Sequence, residues 1–374
     1  SIFIGDVDCS REVNSQDAAL ILQYVTNVID SLPCNTESIL MSSEYVTNLV
    51  DSLTNLYSGC QIGVDIDGLA ESGSYPVEKQ SGWSIALNDA GNIIIVGAPN
   101  SSIDNINFEN GLATVYQLIN DEWSQMGEKI WGPALGDNQT KFFGRSVDIN
   151  SDGDIIAIGT SESSLYNGDG GLVRLYQFNG TLWEQLGGDL YGEESSRFGY
   201  SLAINSEGDI VIIGSRYGVN GAGMISVYQY DSGIWSQLGS SIDGINLNDE
   251  FGAAVSISNN GEIIAVAAPK GDENVNNDEN VGAVSIYSLS ENNWDQVGET
   301  IFGIDNGYFS GNSISLNGNG DIIAIGAEQG NNEGTVGFIG QVRVYYWNND
   351  NWIQLGEDII GEAVGDQSGK SVSM

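Results

Sequence analysis

Phe143-Gly-Arg-Ser-Val-Asp-Ile-Asn-Ser-Asp-Gly-Asp-Ile-Ile-Ala-Ile-Gly159 is the stretch that decides the fold. Ser-Val-Asp-Ile and Ile-Ile-Ala-Ile are short strand signals rich in β-branched residues. Asn150-Ser-Asp-Gly between them has the residues of a tight hairpin, with glycine where the turn requires positive φ. The block returns as Phe198-Gly-Tyr-Ser-Leu-Ala-Ile-Asn-Ser-Glu-Gly-Asp-Ile-Val-Ile-Ile-Gly214, and again from Phe251-Gly, Phe309-Ser-Gly and, earlier, Ser81-Gly-Trp. Its glycines, Gly82, Gly144, Gly199, Gly252, Gly311 and Gly369, step by 62, 55, 53, 59 and 58 residues.

A second block follows each first one. Val173-Arg-Leu-Tyr-Gln-Phe, a short turn and Trp183-Glu-Gln-Leu-Gly is one copy. Its tryptophans, Trp123, Trp183, Trp235, Trp294 and Trp352, step by 60, 52, 59 and 58. Two series in step mean stacked supersecondary units. Four short antiparallel strands per unit, repeated radially, predict a mainly β chain built as a β-propeller.

These units resemble the FG-GAP repeats of integrin α-subunit propellers and their bacterial and algal relatives. The matching residues are Phe143-Gly144, Phe198-Gly199 and Phe251-Gly252, with Val96-Gly-Ala-Pro99 and Ala267-Ala-Pro269. The resemblance covers residues 61–374 and is closest to secreted forms carrying Trp-x-Gln-Leu-Gly-x-Asp-Ile-x-Gly. Integrin-type blades hold Ca²⁺ in a long loop between the first two strands. Asn150-Ser-Asp-Gly-Asp154 is too short for that and reads as turn chemistry. Five full units fit. Gln61-Ile-Gly-Val-Asp-Ile-Asp-Gly68 matches the end of a unit and Ser368-Gly-Lys-Ser-Val-Ser-Met374 the start of another. The expectation is an incomplete propeller of about five and a half blades, completed by further chain or by a neighbour, since open sheet edges invite association.

Residues 1–60 read differently. Ala18, Leu22, Val25, Ile29 and Leu32 fall on one helical face, and Pro33 ends the helix. A second apolar stripe runs through Ile39, Val46, Leu49, Val50, Leu53 and Leu56. A small α-helical hairpin is expected. Before it, Asp6, Asp8, Ser10, Glu12, Asn14 and Asp17 place oxygen ligands at positions 1, 3, 5, 7, 9 and 12 of a loop running into a helix, which is Ca²⁺-loop spacing. The same stretch also reads as an acidic turn with an Asp N-cap. Loop and helix together resemble one repeat of a type I dockerin, with Ser10 and Arg11 departing from the pattern. The expected cofactor is Ca²⁺. Cys9, Cys34 and Cys60 are the three cysteines. An antiparallel hairpin returns Cys60 to the end holding Cys9, so Cys9–Cys60 is the expected disulfide, with Cys34 free or bonded to another chain.

Composition excludes whole classes of function. The 374 residues hold 51 Asp and Glu against 11 Lys and Arg, a net charge of −40, and no histidine. Such a surface repels phosphate backbones, so no nucleic-acid partner is expected. Without histidine there is no Ser-His-Asp or Cys-His nucleophile and no imidazole-ligated metal. No apolar run approaches the roughly 18 residues of a membrane helix. The chain starts at Ser1 without Met and stops inside a strand pattern, so it reads as a piece of a protein. The acidity suits a calcium-containing exterior, and the expected location is extracellular, secreted or at the cell surface. Asn100, Asn138 and Asn179 head glycosylation sequons.

No catalytic constellation stands out among so many acids. The functional expectation is a non-catalytic, calcium-binding structural or adhesion protein, a filament or appendage component and not an enzyme. Its partners would be a protein or glycan at the cell surface, or copies of itself. The alternative is a polysaccharide-binding module of a larger secreted enzyme or scaffold. Trp131, Tyr166, Tyr191, Tyr217 and Tyr308 are its candidate stacking aromatics, and the acidic loop from Asp272 to Glu279 is a further ligand candidate.

Overall fold

A computed structural model describes residues 65–66, 80–101, 110–133, 140–163, 170–218, 221–272, 280–304, 307–330 and 338–374. The chain divides into two units, Ser1–Val64 and Asp65–Met374. The expected helical hairpin, Ca²⁺ loop and cysteines lie outside the described residues.

The second unit is a five-blade β-propeller. Each blade is one antiparallel sheet whose strands pair in chain order, from an inner strand outward. The inner strands are Ser84–Leu87, Ser146–Ile149, Phe198–Ile204, Ala254–Ile257 and Ser313–Leu316. The second strands, such as Ile155–Thr160 and Ile210–Ser215, are buried along most of their length. This accounts for their continuous Ile/Val/Ala runs, because both faces meet a neighbouring blade.

The expected four-stranded blade gains a short fifth element. In blade 2 the fourth strand, Trp183–Gln185, pairs with Tyr176–Phe178 of the third. The chain breaks at Leu186-Gly187 and resumes as Leu190–Tyr191, which pairs with Leu172 and Val173 at the other end of the same third strand. The Trp-x-Gln-Leu-Gly-x-Asp-Ile motif is therefore one outer edge interrupted by a kink.

Packing between blades comes from the repeated residues. Ala157, Val173 and Leu175 of blade 2 form one core with Leu202, Ile204, Val211 and Ile213 of blade 3. The serine two places after the repeat glycine donates across to the next blade's glycine carbonyl. These bonds are Ser84 Oγ to Gly144 O, Ser146 to Gly199, Ser201 to Gly252 and Ser313 to Gly369, each 2.8 Å. Ala254 stands at that position in blade 4 and omits the bond. At the periphery the tryptophans of blades 2 to 5 each reach back one blade. Trp183 Nε1 donates to Met126 O at 2.9 Å, Trp235 to Leu186 O at 2.8 Å, Trp294 to Leu238 O at 2.9 Å and Trp352 to Val297 O at 3.0 Å.

The flank of blade 1 is open. Ile85 and Leu87 are 61% and 52% exposed, whereas their counterparts Val147 and Ile149 in blade 2 are 8% and 6% exposed. At the other end, residues 368–374 lie against blade 5 as the start of a repeat lies against its predecessor. Gly340 bridges Ser368 as Gly171 bridges Phe198. No helix among the described residues is long and apolar enough to cross a membrane.

Candidate functional site

One face of the propeller carries the starts of the inner strands and the connections between second and third strands. There the residue after each repeat glycine stands at the start of its blade's inner strand. Gly144 has φ +88° and a Cβ at its position would meet Leu112 O at 2.4 Å, so the chain turns sharply before Arg145. The corresponding residues in blades 1 and 3 are Trp83 and Tyr200.

These three side chains stack in sequence. The Arg145 guanidinium carbon lies 5.3 Å from the Trp83 ring centroid and 4.3 Å from that of Tyr200. Arg216, one residue past the second strand of blade 3, lies 4.8 Å from the Tyr200 centroid and 5.8 Å from that of Tyr217. Arg197 sits 4.7 Å from the Tyr217 centroid. Arg216 Nη1 donates to Tyr200 Oη at 2.6 Å, and Nη2 donates to Glu250 Oε2 at 2.6 Å. Lys270 Nζ completes the arc, 2.9 Å from Glu250 Oε1. Burial works against the Arg216 charge. The Glu250 hydrogen bond, with Tyr200, Glu250 and Tyr217 nearby, outweighs it and holds the guanidinium more firmly protonated than usual.

Two features make this arc a candidate binding site as well as a packing motif. Four of the chain's 11 cationic side chains gather here, in a protein with 51 acids. Buried side-chain polar atoms without a hydrogen-bond partner, among the described residues, are Arg145 Nε, Arg216 Nε and Ser215 Oγ, and all three belong to this arc. Orphaned buried donors are uncommon in folded proteins and point to a missing partner. Cation–aromatic stacking keeps the guanidinium planes in place without consuming their donors.

Asp148, on the inner strand of blade 2, serves a different purpose. Its Oδ1 accepts from Ile149 N at 2.9 Å and its Oδ2 from Ile204 N of the next blade at 2.8 Å. Ser256 and Ser315 occupy the same register and accept from Leu316 N and Met374 N at 2.9 and 3.0 Å. Asp148 is thus an inter-blade fastener. The residue keeps some exposed surface, but its carboxyl group is enclosed. Burial pushes its pKa up to about 6, against the two backbone hydrogen bonds that pull it down. A carboxyl raised in the folded state favours folding below its unfolded pKa and loses that contribution as pH rises through about 6. Relative to Asp148→Asn, the wild-type protein is expected to gain about 1–2 kcal/mol of stability between pH 7 and pH 4.5. Urea midpoints of the two proteins across that range check it; parallel pH profiles would refute it.

The sequence-predicted residues distribute unevenly. Asp6, Asp8, Ser10, Glu12, Asn14, Asp17, Cys9, Cys60 and Asn138 lie outside the described residues. Asn100 lies in a loop. Asn179 is exposed in a hairpin, where its Oδ1 accepts from Thr181 N and Leu182 N at 2.9 Å. Among the stacking candidates, Tyr217 joins the arc. Tyr191 donates to Asp189 at 2.6 Å, and Trp131 closes an outer edge. Tyr308 is partly buried, and Tyr166 lies outside the described residues. Most of the acidic loop after Asp272 also lies outside them. No group of three or more metal-ligating side chains occurs among the described residues. Sequence reasoning missed Trp83, Arg145, Tyr200, Arg216 and Glu250. The available signal was the variable residue after each repeat glycine.

No protein-family model matches the chain, and no curated protein matches it by sequence. Solved structures do. A protein described as a 6-phosphogluconolactonase from Bacteroides fragilis superposes with a TM-score of 0.50 at 12% identity, covering 75% of this chain and 84% of that one. The periplasmic gluconolactonase of Pseudomonas aeruginosa gives 0.48 at 12% identity, covering 81% and 78%. The Kuenenia stuttgartiensis hydrazine synthase gives 0.47 at 10% identity, covering 77% and 69%. At these identities the likeness is one of fold. The expectation of a non-catalytic adhesion or filament protein that is not an enzyme is corrected here: the B. fragilis propeller, which superposes with a TM-score of 0.50, carries the name of an enzyme. The physical reason for the error is that the repeats specify the scaffold, while the arc that could handle a ligand is made of residues that do not repeat.

Proposed function

We propose that this propeller is a hydrolase that opens sugar lactones at the Trp83–Arg145–Tyr200–Arg216 arc. The observation that carries it is the coincidence of the three unpartnered buried polar atoms with the clustered cations where three blades begin. The chemistry suits these residues. Water adds to the acyl carbon and negative charge grows on the carbonyl oxygen. The ring C–O bond then breaks, the proton passes to the released ring oxygen, and the sugar acid ionises. Transition state and product are both more anionic than the substrate. Fixed, partly buried cations such as Arg216 therefore bind them better than the lactone. The route needs no histidine and no covalent nucleophile. Glu250 acts as a positioning residue, holding Arg216 and Lys270.

The name given to the B. fragilis propeller supports this substrate class. The Phe-Gly steps of the FG-GAP resemblance take their place in this reading as the turns that present the arc. The test is acid release from gluconolactone and 6-phosphogluconolactone, followed above their spontaneous hydrolysis. Acceleration by the wild-type protein is expected, with Arg216→Ala slower by about 10²-fold, as for loss of a group stabilising an oxyanion. Wild-type rates equal to spontaneous hydrolysis on both lactones would overturn the reading.

A further inference from the structure

Arg145 differs from Arg216 and Lys270 in the arc. Arg216 and Lys270 share Glu250. Elsewhere in the propeller, Arg174 pairs with Asp189 at 2.7 Å and Arg343 with Asp358 at 3.0 Å. The Arg145 side chain lies between Trp83 and Tyr200, makes no ion pair or hydrogen bond among the described residues, and has its Nε buried without a partner. In a chain of net charge −40, carboxylates are abundant enough to have paired it. Stacking fixes the guanidinium plane, and a planar fork fixed in advance suits a bidentate oxyanion.

We propose that Arg145 is the specificity residue of the site and clamps a fixed negative group of the substrate, a phosphate monoester or a carboxylate. The protein would then select acidic sugars over neutral ones. The proposal deepens the hydrolase reading by naming the substrate class, and its test does not depend on turnover. The Trp83 ring, 49% exposed, would contact the sugar beside the bound anion.

Isothermal titration of the full chain with glucose 6-phosphate, glucuronate and glucose separates the sources of charge. Binding of one or both acids, at least tenfold tighter than glucose, is expected, and the preferred acid identifies the anionic group. Arg145→Gln should lose that preference by about tenfold or more, as for a charge-assisted hydrogen bond, and Arg145→Lys should retain part of it. Should Arg145→Gln fail to fold, the wild-type protein still decides. The preferred acid should change its tryptophan fluorescence, and Trp83→Phe should abolish that change. Equal binding of all three sugars, or undiminished acid preference in folded Arg145→Gln, would overturn the proposal. Acid-selective binding without lactone hydrolysis would leave the clamp standing and remove the hydrolase reading. Hydrolysis without acid preference would do the reverse.

Discussion

Gly171→Ala is expected to destabilise the propeller by about 3–5 kcal/mol, combining left-handed backbone strain with overpacking. Gly171 sits at φ +87° where the third strand of blade 2 begins, bridged to Phe198 of blade 3. A Cβ there would stand 1.9 Å from Phe198 O and 2.8 Å from Phe198 N and C, all backbone atoms. Nothing flexible can yield, so the two blades must separate. Gly180→Ala is the matched control. Gly180 has φ +95° but nothing within 4 Å of the added carbon, so it should cost only the strain, about 1–2 kcal/mol. Urea denaturation of the two variants checks the difference; equal midpoints would show that the close approach at Phe198 is not limiting. Phe198-Gly199 also sets Tyr200, so Gly171→Ala should weaken ligand binding even where it folds.

Trp235→Ala is expected to cost about 3–5 kcal/mol, the range for a buried large aromatic. The ring is 8% exposed. It packs against Tyr230, tilted by 46° with 5.1 Å between centroids, and its Nε1 donates to Leu186 O of the preceding blade. Trp235→Phe should cost about 1–2 kcal/mol, since the hydrogen bond goes but much of the contact remains. The partner surface is Gly187, where a Cβ would approach Trp235 Cδ1 to 2.6 Å. Gly187→Ala should therefore be costly in the wild-type background and much less so beside Trp235→Ala. A double-mutant cycle by chemical denaturation measures that coupling. Additive effects would mean that the Trp-on-glycine contact is not what fastens blade to blade.

Both variants strike the repeat itself, and the repeat was legible. Alternating apolar residues, the Asn-Ser-Asp-Gly turn and the twin series of glycines and tryptophans are enough to predict blades. The reason is physical: strand pairing across a hairpin is local, and identical units stack only if each carries the same contact residues. What the motif Trp-x-Gln-Leu-Gly accomplishes was not legible. In the fold, the Leu-Gly of one copy receives the tryptophan of the next.

The candidate site was hidden for the opposite reason. At the position after the repeat glycine, the copies carry Trp83, Arg145, Tyr200, Ala253, Asn312 and Lys370, so periodicity averages the signal away. Arg216 and Glu250, which pair at 2.6 Å, are 34 residues apart and lie in different blades. The mainly β class, the repeat period and the hairpin turns thus follow from the sequence alone, because they depend on neighbours a few residues apart. Only the tertiary structure decided which cations meet, which carboxylate they share and which guanidinium is left unpaired. Radial packing is what brings Trp83, Arg145 and Tyr200, one from each of three successive blades, against one another.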